Sequence, residues 1–115
     1  MSAPTIDRQV FAELQDEAGA DFVAELVASF LEDAPQMLAT LRQALRDADS
    51  IGFRRTAHSL KSNALTFGAV ELGVLARDLE VTGLVQLAAA AGPAVEALAQ
   101  SYALAAAELS ELRRA

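Results

Sequence analysis

The sequence predicts an all-α protein, an antiparallel four-helix bundle with an additional short N-terminal helix. Ala, Leu, Glu, Arg and Gln dominate while aromatic residues make up only 5%, a composition that favours helix. No Asn-Gly or Asp-Gly hairpin turn occurs, and no period-2 run of β-branched residues does either. Apolar residues recur instead at steps of three, four and seven, in segments joined by short connections. At 115 residues, 53% of them hydrophobic, the chain has the size and apolar content of a single domain, residues 1–115, around one core.

The first helix is expected over residues 6–17. Thr5 reads as its N-cap, Asp7 suits its positive start, and Gly19 marks its stop. Ile6, Val10, Phe11 and Leu14 give it one apolar stripe. Asp21 then reads as the cap of a long helix over residues 22–46. Phe22, Leu26, Phe30, Met37, Leu41 and Leu45 form its face, with Val23, Val27 and Leu38 alongside. Pro35 inside it predicts a kink, or two helices meeting. Asp49 or Ser50 caps a third helix, residues 51–67, ended by Gly68. A fourth, residues 69–82, carries Leu72, Leu75 and Leu79 inward and stops at Gly83. Residues 84–92 are apolar and fit either a short helical turn packed on the bundle or an ordered loop. Pro93, in an N1-like place after Gly92, opens the last helix, where Val95, Leu98, Tyr102, Ala105, Leu109 and Leu112 follow a 4-3 spacing. The four longer helices should make the core, with the first as a lid at one end.

Composition excludes several functions. The absence of cysteine removes disulfides, thiolate nucleophiles and cysteine zinc sites. With one histidine and no clustered acidic loop, neither a metal nor a cofactor is expected. A net charge of −7 argues against broad nucleic-acid binding and against anionic membrane surfaces. No apolar stretch of about 18 residues reads as charge-free enough to span a bilayer, and the N-terminus does not read as a signal peptide. A soluble cytoplasmic protein is expected.

The chemistry concentrates on the third helix. At about 100° per residue, Phe53, Ala57, Leu60, Ala64 and Phe67 fall in one narrow stripe, and His58 lies roughly 140° from Phe53. The imidazole should therefore face solvent, on the side it shares with Arg54, Lys61, Ser62 and Leu65. The chain has eight arginines and one lysine, and that lysine stands three residues after the only histidine. Residues 50–70 contain Arg54, Arg55 and Lys61 and no acid. An acidic chain thus presents a locally basic helix around its histidine, which suits a phosphoryl group and an acidic partner pocket. A neutral imidazole nitrogen is a competent nucleophile near neutral pH, since imidazole ordinarily titrates at about 6.5. Lys61 can pair with a phosphoryl oxygen, and the small Ser62 leaves room for an approaching partner. No Gly-rich phosphate loop or nucleotide motif is present, so donor and acceptor must be other proteins. The acids Asp16, Glu17, Glu32, Asp33, Asp78 and Glu80 read as solvated faces and caps. Glu71 and Glu80 read as too isolated to form an acid–base pair.

The run Ala57-His58-Ser59-Leu60-Lys61-Ser62-Asn63-Ala64, then Phe67-Gly68-Ala69, then Leu72, Leu75 and Leu79-Glu80, resembles the histidine-containing phosphotransfer (HPt) domains of multistep two-component signalling. Phe30-Leu31-Glu32-Asp33-Ala34-Pro35 resembles that family too, and the likeness runs from Asp7 to the last helix. It implies His58 as the phosphoacceptor and Lys61 as phosphoryl stabiliser. Arg54, Arg55, Ser62 and Leu65 would serve receiver docking, with Gly68 as a structural helix cap. The implied protein is a monomeric phosphoryl carrier without kinase activity. Its partners would be response-regulator receiver domains and a hybrid sensor histidine kinase. A helical adaptor that binds signalling partners without transferring anything is the alternative. Two departures stand out: Ser62 follows the lysine where the family commonly has glycine, and residues 84–92 are apolar where it tends to be polar.

Overall fold

The computed structural model describes residues 5–114, and among these the regular structure is helix alone. Helix α1 (Arg8–Ala18) is capped by Asp7, whose carboxylate accepts from the backbone N–H groups of Gln9 and Val10 at 3.1 and 3.3 Å. Thr5 is therefore not the cap, and the helix begins two residues later than the sequence suggested. Ile6 precedes it yet is fully buried. The Ile6 N–H donates to Glu108 at 3.2 Å, the Asp7 N–H donates to the Gly68 carbonyl at 2.7 Å, and Arg8 pairs with Glu108 at 3.1 Å. With Phe11 turned inward, these bonds hold α1 as the expected lid.

Helix α2 (Ala20–Asp47) starts at Gly19 without a side-chain cap. Asp21 lies inside its first turn, where it complements the helix dipole and does not cap it. The buried face is Val23, Val27, Phe30, Ala34, Leu38, Leu41 and Ala44. Phe22 is exposed, and Leu26, Met37 and Leu45 are only partly covered. The core stripe is rotated from the expected one: it runs through the buried Ala34 and Ala44, which a stripe drawn through large residues passes over. Pro35 does not split the element, which runs as one helix of 28 residues.

Proline does remove a donor, so the Leu31 carbonyl four residues earlier loses its helical partner. The Tyr102 hydroxyl donates to that carbonyl at 3.4 Å. Its ring meets Phe30 edge-on at 5.8 Å, and Phe30 in turn lies 5.4 Å from Phe67. Partial burial raises the Tyr102 pKa, which keeps the phenol a donor. Tyr102→Phe should cost about 0.5–1 kcal/mol, a long bond being worth the low end of the usual range. Urea unfolding should show a lower midpoint at unchanged slope; an unmoved midpoint would mean that water serves Leu31 equally well.

Helix α3 (Ser50–Thr66) is capped by Asp49, which accepts from the Gly52 N–H at 2.9 Å. Phe53, Ala57, Leu60 and Ala64 are buried, as the wheel required. Two bonds close its end: Gly68 N–H to Leu65 carbonyl at 3.2 Å, and Ala69 N–H to Ala64 carbonyl at 2.9 Å. That pairing, with Gly68 at φ 79°, is a Schellman motif.

Helix α4 (Val70–Leu87) buries Leu72, Gly73, Ala76 and Leu79, with Leu75 partly covered. Its backbone leaves helical geometry at Gly83 (φ 79°, ψ 159°), where the sequence placed a stop, and resumes for one more turn. A 3-10 turn (Ala88–Ala90) then leads into α5 (Ala91–Leu112). Residues 84–92 are thus helical turns, with Leu84 and Leu87 packed against the core. Pro93 is the third residue of α5, not its first, still within the turn whose N–H groups need no helical acceptor. Val95, Leu98, Ala105 and Leu109 are buried, Tyr102 and Leu112 partly. Contrary to the sequence expectation, Val70–Leu112 does contain a stretch long and apolar enough in composition to cross a bilayer. Its backbone is interrupted at Gly83 and again at Ala88 (φ 49°, ψ −122°), so it is not the continuous helix that a hydrocarbon core demands.

Candidate functional site

His58 sits midway along α3 on the face opposite its buried stripe, with 57% of its side chain exposed. The helix is fixed there because α3 packs most extensively on α4, across small residues. A Cβ at Gly73 would come within 2.8 Å of Leu65. This close pairing brings one residue of α4 to the histidine.

That residue is Glu80, and it joins the two residues on which the chemistry was expected to rest. One of its oxygens lies 2.6 Å from His58 Nδ1, and the other 2.8 Å from Lys61 Nζ. The hydrogen bond from Lys61 holds the Glu80 carboxyl below the ordinary carboxylate range. The His58 bond and both charges add to this, against partial burial. Glu80 is therefore ionised near neutral pH and can only accept, so the hydrogen in the short contact belongs to Nδ1. In a neutral ring this leaves the lone pair on Nε2, which has no hydrogen-bond partner among the described residues.

Reading Glu80 as a solvated charge missed its bonds to His58 and Lys61. A signal was available: in an antiparallel helical hairpin, positions equidistant from the turn face each other. His58 and Glu80 stand eleven residues either side of Ala69. Glu80 also alters the expected field. Residues 50–70 carry no acid of their own, but α4 supplies one, and Lys61 is a paired ammonium 23% exposed.

The remaining site residues divide along α3. Arg54 and Arg55 lie toward Ser50, and neither has a carboxylate within ion-pair distance among the described residues. Together with Ser50, Ile51, His58 and Glu80 they line a cleft of 410 Å³. Ser62 and Leu65 lie on the other side of the histidine, both exposed and outside that cleft. Gly68 is about 15 Å along the helix from His58 at 1.5 Å per residue, so its role is structural. No three His, Asp or Glu side chains gather as metal ligands among the described residues.

The arrangement is an exposed nucleophilic nitrogen whose ring is oriented from behind by a carboxylate, which a lysine also holds. The Hpt domain family model matches residues 25–115. Histidine-containing phosphotransfer protein 5 of Arabidopsis thaliana is 35% identical over 60 residues, 50% of this chain and 38% of that protein, so the match spans well under half of that relative. The crystal structure of histidine-containing phosphotransfer protein B from Pseudomonas aeruginosa PAO1 matches with a TM-score of 0.90 at 29% identity. That match covers 98% of this chain and 97% of that one.

Proposed function

The chain belongs to the Hpt domain family, and on that premise we propose that it is a phosphorelay intermediate whose phosphoryl group is carried on His58. The observation that carries this reading is the Glu80–His58 bond, which engages Nδ1 and leaves Nε2 free on an exposed face. Nε2 attacks the phosphorus of a receiver's phospho-aspartate, the P–O bond breaks, and the aspartate leaves as a carboxylate. The Nδ1 proton stays where it is, against Glu80, so no proton has to move in the step. The phosphoimidazolium so formed is stabilised by that carboxylate. Transfer to a second receiver is the same path in reverse. Positioning and charge neutralisation suffice for such chemistry.

The carrier makes no phosphoryl group of its own; a hybrid sensor histidine kinase and its receivers supply and remove it. Arg54, Arg55 and the exposed Ile51 form one flank of the proposed receiver footprint, Ser62 and Leu65 the other. One copy of the chain presents the whole site, so a monomer is the proposed working unit.

The test is to incubate the protein with a phosphorylated receiver domain and follow the label. It should become acid-labile and alkali-stable, and map to His58. An acid-stable label, or one mapping elsewhere, overturns the proposal.

Two substitutions separate the supporting roles. Lys61→Ala should slow transfer about tenfold, the equivalent of one lost charge-assisted hydrogen bond, and shorten the phosphohistidine lifetime at unchanged circular dichroism. Unchanged transfer and lifetime would reduce Lys61 to a surface charge. Glu80→Gln should slow transfer by about ten- to a hundredfold, because a carboxamide can offer Nδ1 its NH2 group and drive the ring proton to Nε2. Nitrogen NMR of His58 reads this directly: the wild-type ring should show Nδ1–H, and the variant a mixture of tautomers. A variant that keeps both rate and tautomer would show that Glu80 does not orient the ring.

A further inference from the structure

Of the two flanks of His58, the basic one, facing Ser50, is shaped as a small-molecule site. The 410 Å³ cleft falls in the size range of ligand pockets. Arg8, Arg42 and Lys61 spend their charge on carboxylates, whereas Arg54 and Arg55 have none within reach among the described residues. Their planar forks match the oxygens of a phosphoryl group. Ile51, 71% exposed on the same wall, offers a short apolar surface, and Ser50 adds a hydroxyl. The one acid in the cleft, Glu80, has both oxygens engaged by His58 and Lys61, which blunts its repulsion of an incoming anion.

Resting on the reading of His58 as phosphoacceptor, we propose that this cleft binds a low-molecular-weight acyl phosphate and that His58 is phosphorylated from it without a protein donor. The chemical class follows from the product. A phosphoimidazole has high transfer potential, so an ordinary phosphate monoester is too poor a donor, while a mixed carboxylic–phosphoric anhydride is activated enough. In the step, His58 Nε2 forms a bond to phosphorus, and the bond between phosphorus and the acyl oxygen breaks. The carboxylate leaves with the electron pair, and the Nδ1 proton stays against Glu80. The guanidiniums of Arg54 and Arg55 hold the phosphoryl oxygens, and Ile51 accommodates the acyl end.

The test uses the full chain with acetyl phosphate and no receiver present, alongside a second reaction with a phosphorylated receiver. Acetyl phosphate should label wild-type protein at His58 with a rate that saturates in acetyl phosphate, as binding in a site requires. Arg54→Ala/Arg55→Ala, with folding checked by circular dichroism, should lower the limiting slope at least tenfold; Arg54→Gln/Arg55→Gln serves if the alanine pair does not fold. A wild-type slope in the arginine variant, a rate that never saturates, or label on His58→Gln overturns the cleft as donor site. If the receiver labels His58 and acetyl phosphate does not, this inference falls and the relay reading stands. If neither donor labels His58, both fall.

Discussion

His58→Gln should abolish receiver-dependent labelling altogether, a loss of more than about a thousandfold, because it removes the nucleophile and not a group that tunes it. Glutamine is a good helix former, and more than half of the His58 side chain is in solvent, so the bundle should be undisturbed. The glutamine amide can still donate to Glu80, which keeps the Glu80–Lys61 pair from becoming a new source of disorder. The variant therefore separates transfer from binding: a receiver should still dock, since its proposed contacts at Ile51, Arg54, Arg55 and Leu65 are intact. A domain that served only as an adaptor would show no functional loss in this variant. A labelled His58→Gln protein would place the acceptor on another residue.

Gly68→Ala should be the most destabilising of the single changes considered, by about 3 kcal/mol. A left-handed backbone costs an L-residue roughly 1–2 kcal/mol, and Gly68 stands at φ 79°. The added Cβ would lie 2.8 Å from the Asp7 carbonyl oxygen and 3.1 Å from the Val10 Cβ, an overpacking that costs about 1–3 kcal/mol more. The methyl thus strikes the segment whose Asp7 N–H donates to the Gly68 carbonyl. For a domain of about 100 residues the midpoint should fall by roughly 12 °C or more. Transfer by the protein that remains folded should be near normal, because the turn is remote from His58. A loss under about 1 kcal/mol would mean that α1 moves aside freely.

The sequence made the two features that repeat within a helix easiest to read. The buried stripe of α3 and the outward direction of His58 follow from a single period, and neither depends on which helix lies opposite. What lay between elements was harder. Glu80 acquires its role only when α4 folds back on α3, and nothing in its own neighbours marks it. Asp7 displaced Thr5 as a cap because tertiary bonds to Gly68 and Glu108 fix where the chain enters the helix. On α2 the eye follows Phe22 and Met37, yet the buried face runs through Ala34 and Ala44, small residues that a search for large apolar side chains passes over. The geometry divides in the same way: the exposure of His58 was legible, the carboxylate beside it was not, and Lys61 stands one turn away on the same side but is paired with Glu80.

Pro35 acts as an index mark between two helices. Along an ordinary helix every carbonyl is satisfied by its own chain, so one face looks like the next and a neighbour can slide by a turn at little polar cost. Here Pro35 opens the Leu31 carbonyl in the interior of α2, and the Tyr102 hydroxyl on α5 answers it. Sliding α5 by a turn would leave both groups without their match. The residue that should have weakened the longest helix instead gives α2 and α5 a polar match at one register, within the bundle in which α3 and α4 hold His58 against Glu80.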